Sequence, residues 1–276
     1  MYMNIMFVFG TYRIKSQSVL ADSVNQAMLH FSKLDIPLLI DSAMKYGNAE
    51  ILKEIIDANP EIKIGWKVNP NSLDKMEKDL QKAIDLFPNS IFRVLLHQYS
   101  GKRRYQEFQK LVEEKLGKEM TIGVCNISNS QLEDLVEDCK VNCVQNEYHP
   151  FLVTKVPEVC QKHGVKFESH SVLTNLSELQ TLIDKNIWEE DTPQTPAQML
   201  IAYAHHASDS ICFSTTNYIH LQENLDFHPL TDQWISMMSK CVDYHRIIRY
   251  KGSGQINIDW INSRDEKYIN THIIPK

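Results

Sequence analysis

Four residues of this sequence have side chains that together could deliver a proton to a carbonyl oxygen. Asp41, Tyr46, Lys67 and His97 lie at the ends of apolar runs or in the turns that follow them. An ammonium beside a phenol favours the phenolate and lowers the phenol pKa, and a carboxylate paired with the ammonium keeps the lysine charged. An imidazole could donate to the same oxygen and orient the substrate. We therefore expect carbonyl reduction with Tyr46 as proton donor.

Each of these residues also has a purely structural interpretation. A lysine at a strand end is usually solvated, and a tyrosine before Gly47 and Asn48 is usually a turn aromatic. Asp41, however, follows a buried apolar run, where a carboxylate needs a partner. Lys67 would supply that partner, so the combination favours the catalytic interpretation.

The elements that must position these residues are eight apolar runs with helical patterns between them. The runs are 6–9, 38–43, 62–68, 91–97, 121–126, 143–148, 166–171 and 210–215. Apolar residues at helical spacing beneath a charged face predict helices, most clearly at 72–87 and 104–116. Eight strand–helix units predict an α/β protein with a (β/α)8 TIM barrel, which gathers its strand ends at one mouth. The alternative is a doubly wound open sheet, but no Gly-rich dinucleotide fingerprint follows any strand.

Composition limits the other possibilities. The chain has 276 residues, 43% of them hydrophobic, which is enough for one barrel domain over 1–276. A net charge of −6 gives no basic excess for nucleic acid or a membrane surface. The first apolar run fits a strand better than a signal peptide, and no run reaches the length of a membrane span. Six scattered cysteines do not form a disulfide framework, so we expect a reducing, cytoplasmic location.

Six stretches of the sequence resemble the aldo-keto reductase family, in the same order and at similar spacing. They are LIDSAMKYGNAE (39–50), GWKVNP (65–70), LLHQY (95–99), IGVCNISNSQLEDL (122–135), VQNEYHPFL (144–152) and TPAQMLI (195–201). The similarity extends from Gly10 to Asn224. It implies an NAD(P)H-dependent oxidoreductase that reduces an aldehyde or ketone to an alcohol by hydride transfer. In this family the residues that match Asp41, Tyr46, Lys67 and His97 are catalytic.

The resemblance also implies a site for NADPH or NADH across the barrel mouth. Gln145, with Cys125 and Asn126, matches the residues that bind the nicotinamide carboxamide. Cys125 replaces the usual serine, and a thiol is a weaker donor than a hydroxyl. His170 matches a tyrosine that stacks on nicotinamide, although a polar strand residue is an equal interpretation. The other implied cofactor residues are Gly10, Thr11, Asp41, Ser171, Val172, Leu173, Ser214, Thr215, His220, Glu223 and Asn224.

The sequence departs from the family pattern at both ends of this site. Ser214 and His220 stand where a lysine and an arginine often clamp the 2′-phosphate, so NADPH should lose its advantage over NADH. Gln98 and Tyr12 stand where tryptophans are common, which predicts a polar pocket and a polar small-molecule carbonyl substrate. Lys45, Arg13 and Arg103 could meet an acidic substrate, but ordinary surface charges are the favoured interpretation. From about residue 243 the tail is atypical of the family.

Two alternative functions remain open at this point. The first is a catalytically weak or cofactor-independent barrel that acts as a binding or regulatory protein. The second uses the same relay for a non-redox lyase or isomerase reaction. Cys139, Cys143 and His149 do not form a second ligand pair, so no metal is expected. The substrate, the physiological direction and the oligomeric state are left open.

Overall fold

The computed structural model describes residues 6–12, 14–33, 38–188 and 191–241. Eight parallel strands pair in sequence order, and the eighth pairs with the first, so the sheet closes into a barrel. The strands are β1 (Met6–Gly10), β2 (Leu39–Ala43), β3 (Lys63–Val68), β4 (Ile91–Leu96), β5 (Thr121–Cys125), β6 (Cys143–Glu147), β7 (Lys166–His170) and β8 (Ser210–Phe213). The predicted (β/α)8 TIM barrel is confirmed.

Helices connect the strands and cover the outside of the barrel. They are α1 (Gln17–Lys33), α2 (Ala49–Ala58), α3 (Leu73–Leu86), α4 (Lys102–Leu116), α5 (Asn129–Asp138), α6 (Val156–His163), α7 (Leu176–Asp184), α8 (Pro196–Ala207), α9 (Tyr218–Leu225) and α10 (Asp232–Ser239). A short 3-10 helix, Met44–Tyr46, follows β2. Capping boxes at Ser128 and Thr195 begin α5 and α8, because each side-chain oxygen accepts from a backbone N–H that the first turn leaves unpaired.

The predicted strands agree with the observed ones except at their carboxyl ends. Each strand begins at the predicted residue or one residue later, but five of them end earlier than predicted. Asn126 and Ser171, which were expected to continue β5 and β7, have left-handed φ angles of 56° and 57°. An apolar pattern does not reveal such a turn, because the pattern reports burial and not backbone conformation. These strand ends form the mouth of the barrel.

The core has two parts, one around the barrel and one beside it. All five residues of β2 are buried, as expected for a parallel strand with both faces covered. A separate apolar cluster joins α7, α8 and α10 through Leu179, Met199, Trp234 and Met238. All six cysteines carry free thiols. Among the helices described, none has both the length and the apolar character to cross a bilayer. Arg13 and the tail expected from about residue 243 lie outside the described residues.

We expect Gly123→Ala to destabilise the barrel strongly, because β5 and β6 approach each other closely at this residue. A Cβ atom there would lie 2.0 Å from the Cys143 carbonyl oxygen, and backbone cannot move aside as a flexible side chain can. The loss should be about 3 kcal/mol of unfolding free energy, the upper part of the range for overpacking, measured by urea denaturation. Gly10→Ala is the matched control, because its nearest neighbour would be the Cys212 sulfur at 3.3 Å. Equal losses in both variants would contradict this explanation.

Candidate active site

The barrel brings the four predicted catalytic residues to one end. Asp41 lies in β2, Tyr46 in the 3-10 helix after it, Lys67 in β3, and His97 directly after β4. The register pairs Ala43 with Lys67, so the carboxyl ends of these neighbouring strands are level. All four catalytic side chains are buried. Sequence reasoning therefore identified a set of residues that the fold does assemble.

Lys67 is the centre of this group. Its ammonium forms a salt bridge with Asp41 and lies 5.2 Å from the centre of the Tyr46 ring. The His97 ring meets the Tyr46 ring edge to face, with 5.7 Å between centroids. Tyr12, which is largely exposed, packs on the other side of Tyr46 at 5.1 Å. The phenol thus lies between a cation and an imidazole, as a proton donor to a bound carbonyl should.

The charge states of Lys67 and Tyr46 follow from burial and from each other. Burial disfavours the Lys67 ammonium, but Asp41 and Tyr46 together raise the lysine pKa well above its usual value. Burial raises the pKa of Tyr46, and Lys67 lowers it by a smaller amount through its charge and a hydrogen bond. The expectation of a net lowering of the phenol pKa is therefore wrong in sign, because desolvation outweighs the ammonium. The phenol stays protonated at neutral pH, which is the form a donor needs.

His97 is a neutral imidazole in this environment. Burial lowers its pKa well below the ordinary value, and the positive charges of Lys67 and Lys45 lower it further. Its Nδ1 atom has no hydrogen-bond partner in the part of the chain that the structure describes. A buried polar atom without a partner is costly, so this atom is a natural place for a ligand to bind. Lys45 is itself half-buried, and burial followed by the charge of Lys67 lowers its pKa.

Cys125, Asn126 and His170, predicted at the nicotinamide end, lie beside His97. The Asn126 amide donates to the His97 carbonyl oxygen over 3.0 Å, and its oxygen lies 3.3 Å from His170 Nε2. His170 Nδ1 lies 2.9 Å from the Ser171 hydroxyl. Burial lowers the pKa of His170 to about 4, so this ring too is neutral at physiological pH. Cys125 is buried and its Sγ contacts Gln145 Oε1 at 3.6 Å.

Gln145 is engaged on every side by other protein groups. Its Nε2 atom donates to Asp41 Oδ2 over 2.8 Å and also to Glu168. Its Oε1 atom accepts from Lys67 Nζ over 3.1 Å. An amide has two N–H donors and one carbonyl oxygen, so the side chain has no donor left for a nicotinamide carboxamide. At this residue the site does not fit the expected cofactor contact.

Sequence reasoning missed a second buried ion pair behind Gln145. Arg93 of β4 donates two hydrogen bonds to Glu168 of β7, over 2.7 and 2.6 Å, and both side chains are buried. Ser210 Oγ donates to the same carboxylate over 2.7 Å. The signal was available, because each charged residue interrupts a buried strand of a closed barrel. Such charges must be paired.

The two ion pairs also explain a group that resembles a metal site. Asp41, Glu168 and Cys212 place one ligand atom each within 4.8 Å of one another. Lys67 and Arg93 already neutralise the two carboxylates. The group is therefore part of a charge network with two cations and two carboxylates.

The remaining predicted cofactor residues are spread around the mouth. Thr11 is buried and donates to the Asp41 carbonyl oxygen and to Ser42, so in this structure it braces β1 against β2. Gly10 ends β1, and Val172 and Leu173 continue the turn after β7. Ser214 is half-buried, Asn224 is buried, and His220 and Glu223 are exposed. Gln98 is half-buried next to His97, and the exposed Arg103 pairs with Glu107 over 3.3 Å.

Thr215 lines a polar cleft between α1 and the start of α9. The cleft has a volume of about 230 Å³, and its lining is Asp22, Ser23, Gln26, Thr215, Thr216, Asn217, Tyr218 and Leu221. Neither lysine nor arginine belongs to this lining, which agrees with the absence of the usual cations at Ser214 and His220. Together with the unpaired His97 atom, the cleft suits a polar ligand lying across the mouth. Gln145 is the exception to that fit.

Fold and site together define a (β/α)8 barrel with a tyrosine–lysine–aspartate group for proton transfer at its mouth. The family model described as the aldo/keto reductase family matches residues 7–243. The chain therefore belongs to the aldo/keto reductase family, and the resemblance found in the sequence is confirmed.

Three similar proteins indicate the range of the family around this chain. A probable NAD(P)H-dependent D-xylose reductase of Aspergillus niger is 27% identical over 43% of this chain and 41% of its own length. An aldose reductase of Encephalitozoon cuniculi is 25% identical over 54% of this chain and 52% of its own. The aligned part thus spans about half the length of these curated relatives. The structure of a Gox0644 mutant in complex with NADPH has a TM-score of 0.69 at 21% identity, covering 93% of each chain.

We expect the imidazoles of His97 and His170 to remain neutral throughout the neutral pH range. Both rings have a lowered pKa, so they gain a proton only in acid, His170 at about pH 4. Nitrogen and carbon chemical shifts followed by NMR should show no titration of either ring between about pH 6 and pH 8. Asn substitutions of the two histidines assign the signals. A His97 midpoint at or above its ordinary value of 6.5 would contradict the effect of burial and of the Lys67 charge.

Proposed function

We propose that this chain reduces a small aldehyde or ketone to an alcohol, using NADPH or NADH as hydride donor. The observation that carries the proposal is the buried Asp41–Lys67 pair beneath Tyr46, with His97 at the edge of the phenol ring. Membership of the aldo/keto reductase family supports it, as do relatives named as xylose and aldose reductases. A binding protein would have no need of a buried lysine–phenol pair.

The residues of the site divide the work as follows. The reduced nicotinamide, when bound, supplies a hydride to the carbonyl carbon. Tyr46 donates its proton to the carbonyl oxygen as negative charge develops there. Its raised pKa makes it a weak acid at rest, and the Lys67 ammonium stabilises the phenolate as it forms. Asp41 keeps that ammonium charged and in place, while the neutral His97 donates to the same oxygen and orients the carbonyl.

The substrate is proposed to be polar and perhaps-free of large apolar groups only in the sense that the residues near the phenol are polar.

 Tyr12 packs on Tyr46 and Gln98 adjoins His97, so hydroxyl and amide groups lie where an indole is common in the family. Lys45 adds a half-buried ammonium close to Lys67. We therefore propose a hydroxylated or acidic carbonyl compound as substrate, in keeping with the sugar reductases among the relatives.

A second candidate keeps the same relay but uses no nucleotide, as a lyase, an isomerase or a binding protein would. One observation favours it, namely that the amide of Gln145 is fully engaged inside the barrel. Direct measurement of nucleotide affinity separates the two candidates. A wild-type protein that binds neither NADPH nor NADH would reject the reductase proposal.

We expect Tyr46→Phe to lower kcat/KM for carbonyl reduction by at least about 100-fold, the minimum effect of losing a general acid. Nucleotide affinity should be nearly unchanged, because the hydroxyl acts mainly in the transition state. Tyr105→Phe is the matched control. It also removes a tyrosine hydroxyl, which donates to the Lys140 carbonyl oxygen away from the mouth, so it should alter stability and not kcat. Reduction at the wild-type rate in Tyr46→Phe would remove Tyr46 from the mechanism.

We expect NADPH to have little or no advantage over NADH, because Ser214 and His220 replace the usual phosphate-binding cations. The double variant Ser214→Lys with His220→Arg should restore the preference by roughly 1–3 kcal/mol, as charge-assisted contacts to phosphate do. Both dissociation constants are measured by tryptophan fluorescence before and after the change. A wild-type protein that already binds NADPH about 100-fold tighter, a difference of about 2.7 kcal/mol, would show that other cations hold the 2′-phosphate.

A further inference from the structure

We propose that Gln145 is a positioning residue, which joins the Asp41–Lys67 pair to the Arg93–Glu168 pair and so fixes Lys67 beneath Tyr46. It is not a ligand of the nicotinamide carboxamide. This inference rests on the proposed function for its kinetic consequences, but the geometry that carries it involves protein groups alone.

The first argument is the hydrogen bonding of the Gln145 side chain. One amide hydrogen points to Asp41 Oδ2, 2.8 Å from the nitrogen, and the other to Glu168 Oε1. The amide oxygen accepts from Lys67 Nζ over 3.1 Å. A carboxamide ligand would have to break a bond to a buried carboxylate, and such charge-assisted bonds are stronger than the neutral bond that would replace them.

The second argument is the way in which Glu168 is itself held. Arg93 grips both of its oxygens, and Ser210 donates to one of them. The far end of the bridge is therefore fixed by β4 and β8. Arg93 Nη2 also lies 3.9 Å from Asp41 Oδ2, so the guanidinium and the amide approach the same carboxylate oxygen.

The third argument is that one carboxylate oxygen remains for each task. Asp41 Oδ1 pairs with Lys67, while Oδ2 accepts from Gln145. The bridge thus prevents the carboxylate from turning, and Lys67 is held from two directions, by Asp41 and by the Gln145 oxygen. A lysine on a flexible stem needs such contacts to keep one position relative to the phenol.

Gln145→Met is the first test, because methionine fills a similar volume without the hydrogen bonds. NADH and ADP-ribose, which lacks the nicotinamide, are titrated against the wild type and the variant. Positioning predicts that both dissociation constants stay unchanged and that kcat falls about 100-fold, as for a small misplacement of a reacting group. Gln109→Met, the same substitution on α4 outside the barrel, should leave kcat unchanged. Weaker binding of NADH with unchanged binding of ADP-ribose would overturn the inference, as would an unchanged kcat.

Gln145→Glu is the second test, and it carries the inference should Gln145→Met fail to fold. This isosteric change keeps the acceptor for Lys67 but replaces the two donors that face Asp41 and Glu168. The charged groups that meet position 145 are Asp41, Lys67 and Glu168, with Arg93 behind Glu168, and the Cys125 thiol also contacts it. A third carboxylate there should have a raised pKa. We expect kcat, relative to wild type, to recover as the pH falls and the new carboxyl gains a proton to donate. A pH-independent ratio would overturn the inference.

A crystal structure of the same variants separates this inference from the proposed function. If the wild-type protein binds neither NADH nor ADP-ribose, the reductase proposal fails, but the position of Lys67 still decides the role of Gln145. Positioning predicts that the Lys67 ammonium leaves its place over the Tyr46 ring in both variants. An unmoved ammonium would overturn the inference, whatever the activity of the protein.

Discussion

The site depends on one buried ammonium, that of Lys67. Removing a charge of this kind from water costs several kcal/mol even after the protein relaxes, so it exists inside the barrel only because Asp41 opposes it. The same charge lowers the pKa of His97 and counteracts part of the rise in the pKa of Tyr46. The protonation of the phenol and of the imidazole, and with it the proposed direction of proton transfer, therefore follows from this single pair.

The Asp41–Lys67 pair is balanced by a second pair at the same level of the barrel. Arg93 and Glu168 add one charge of each sign, so the interior as a whole is neutral. This arrangement also constrains β3, because a Cβ atom on Gly65 would lie 2.8 Å from Arg93 Nε. The glycine of the GWKVNP stretch thus leaves room for an arginine on the neighbouring strand. A requirement of charge pairing appears in the sequence as a missing side chain.

The sequence predicted the barrel and the four catalytic residues for the same reason. Apolar runs mark strands buried on both faces, and parallel strands bring their carboxyl ends together, so residues far apart in the chain meet at one mouth. It did not predict the partners of Gln145. Those depend on which interior side chains of β2, β3 and β7 reach the same point, and the sequence gives no local sign of that register. The sign of the Tyr46 pKa shift also depends on depth of burial, which a motif does not report.

The strand ends that were predicted too long are also the places where the backbone is strained. A left-handed conformation is unfavourable for residues other than glycine, and Asn126 and Ser171 both adopt it at the mouth. Asn126 gains two contacts there, since its side chain binds the His97 carbonyl oxygen and reaches His170. Ser171 places its hydroxyl beside the same histidine. A strand continued through either residue would turn these groups away from the mouth. The left-handed turns are therefore what aligns the edge of the site with Lys67 and Tyr46.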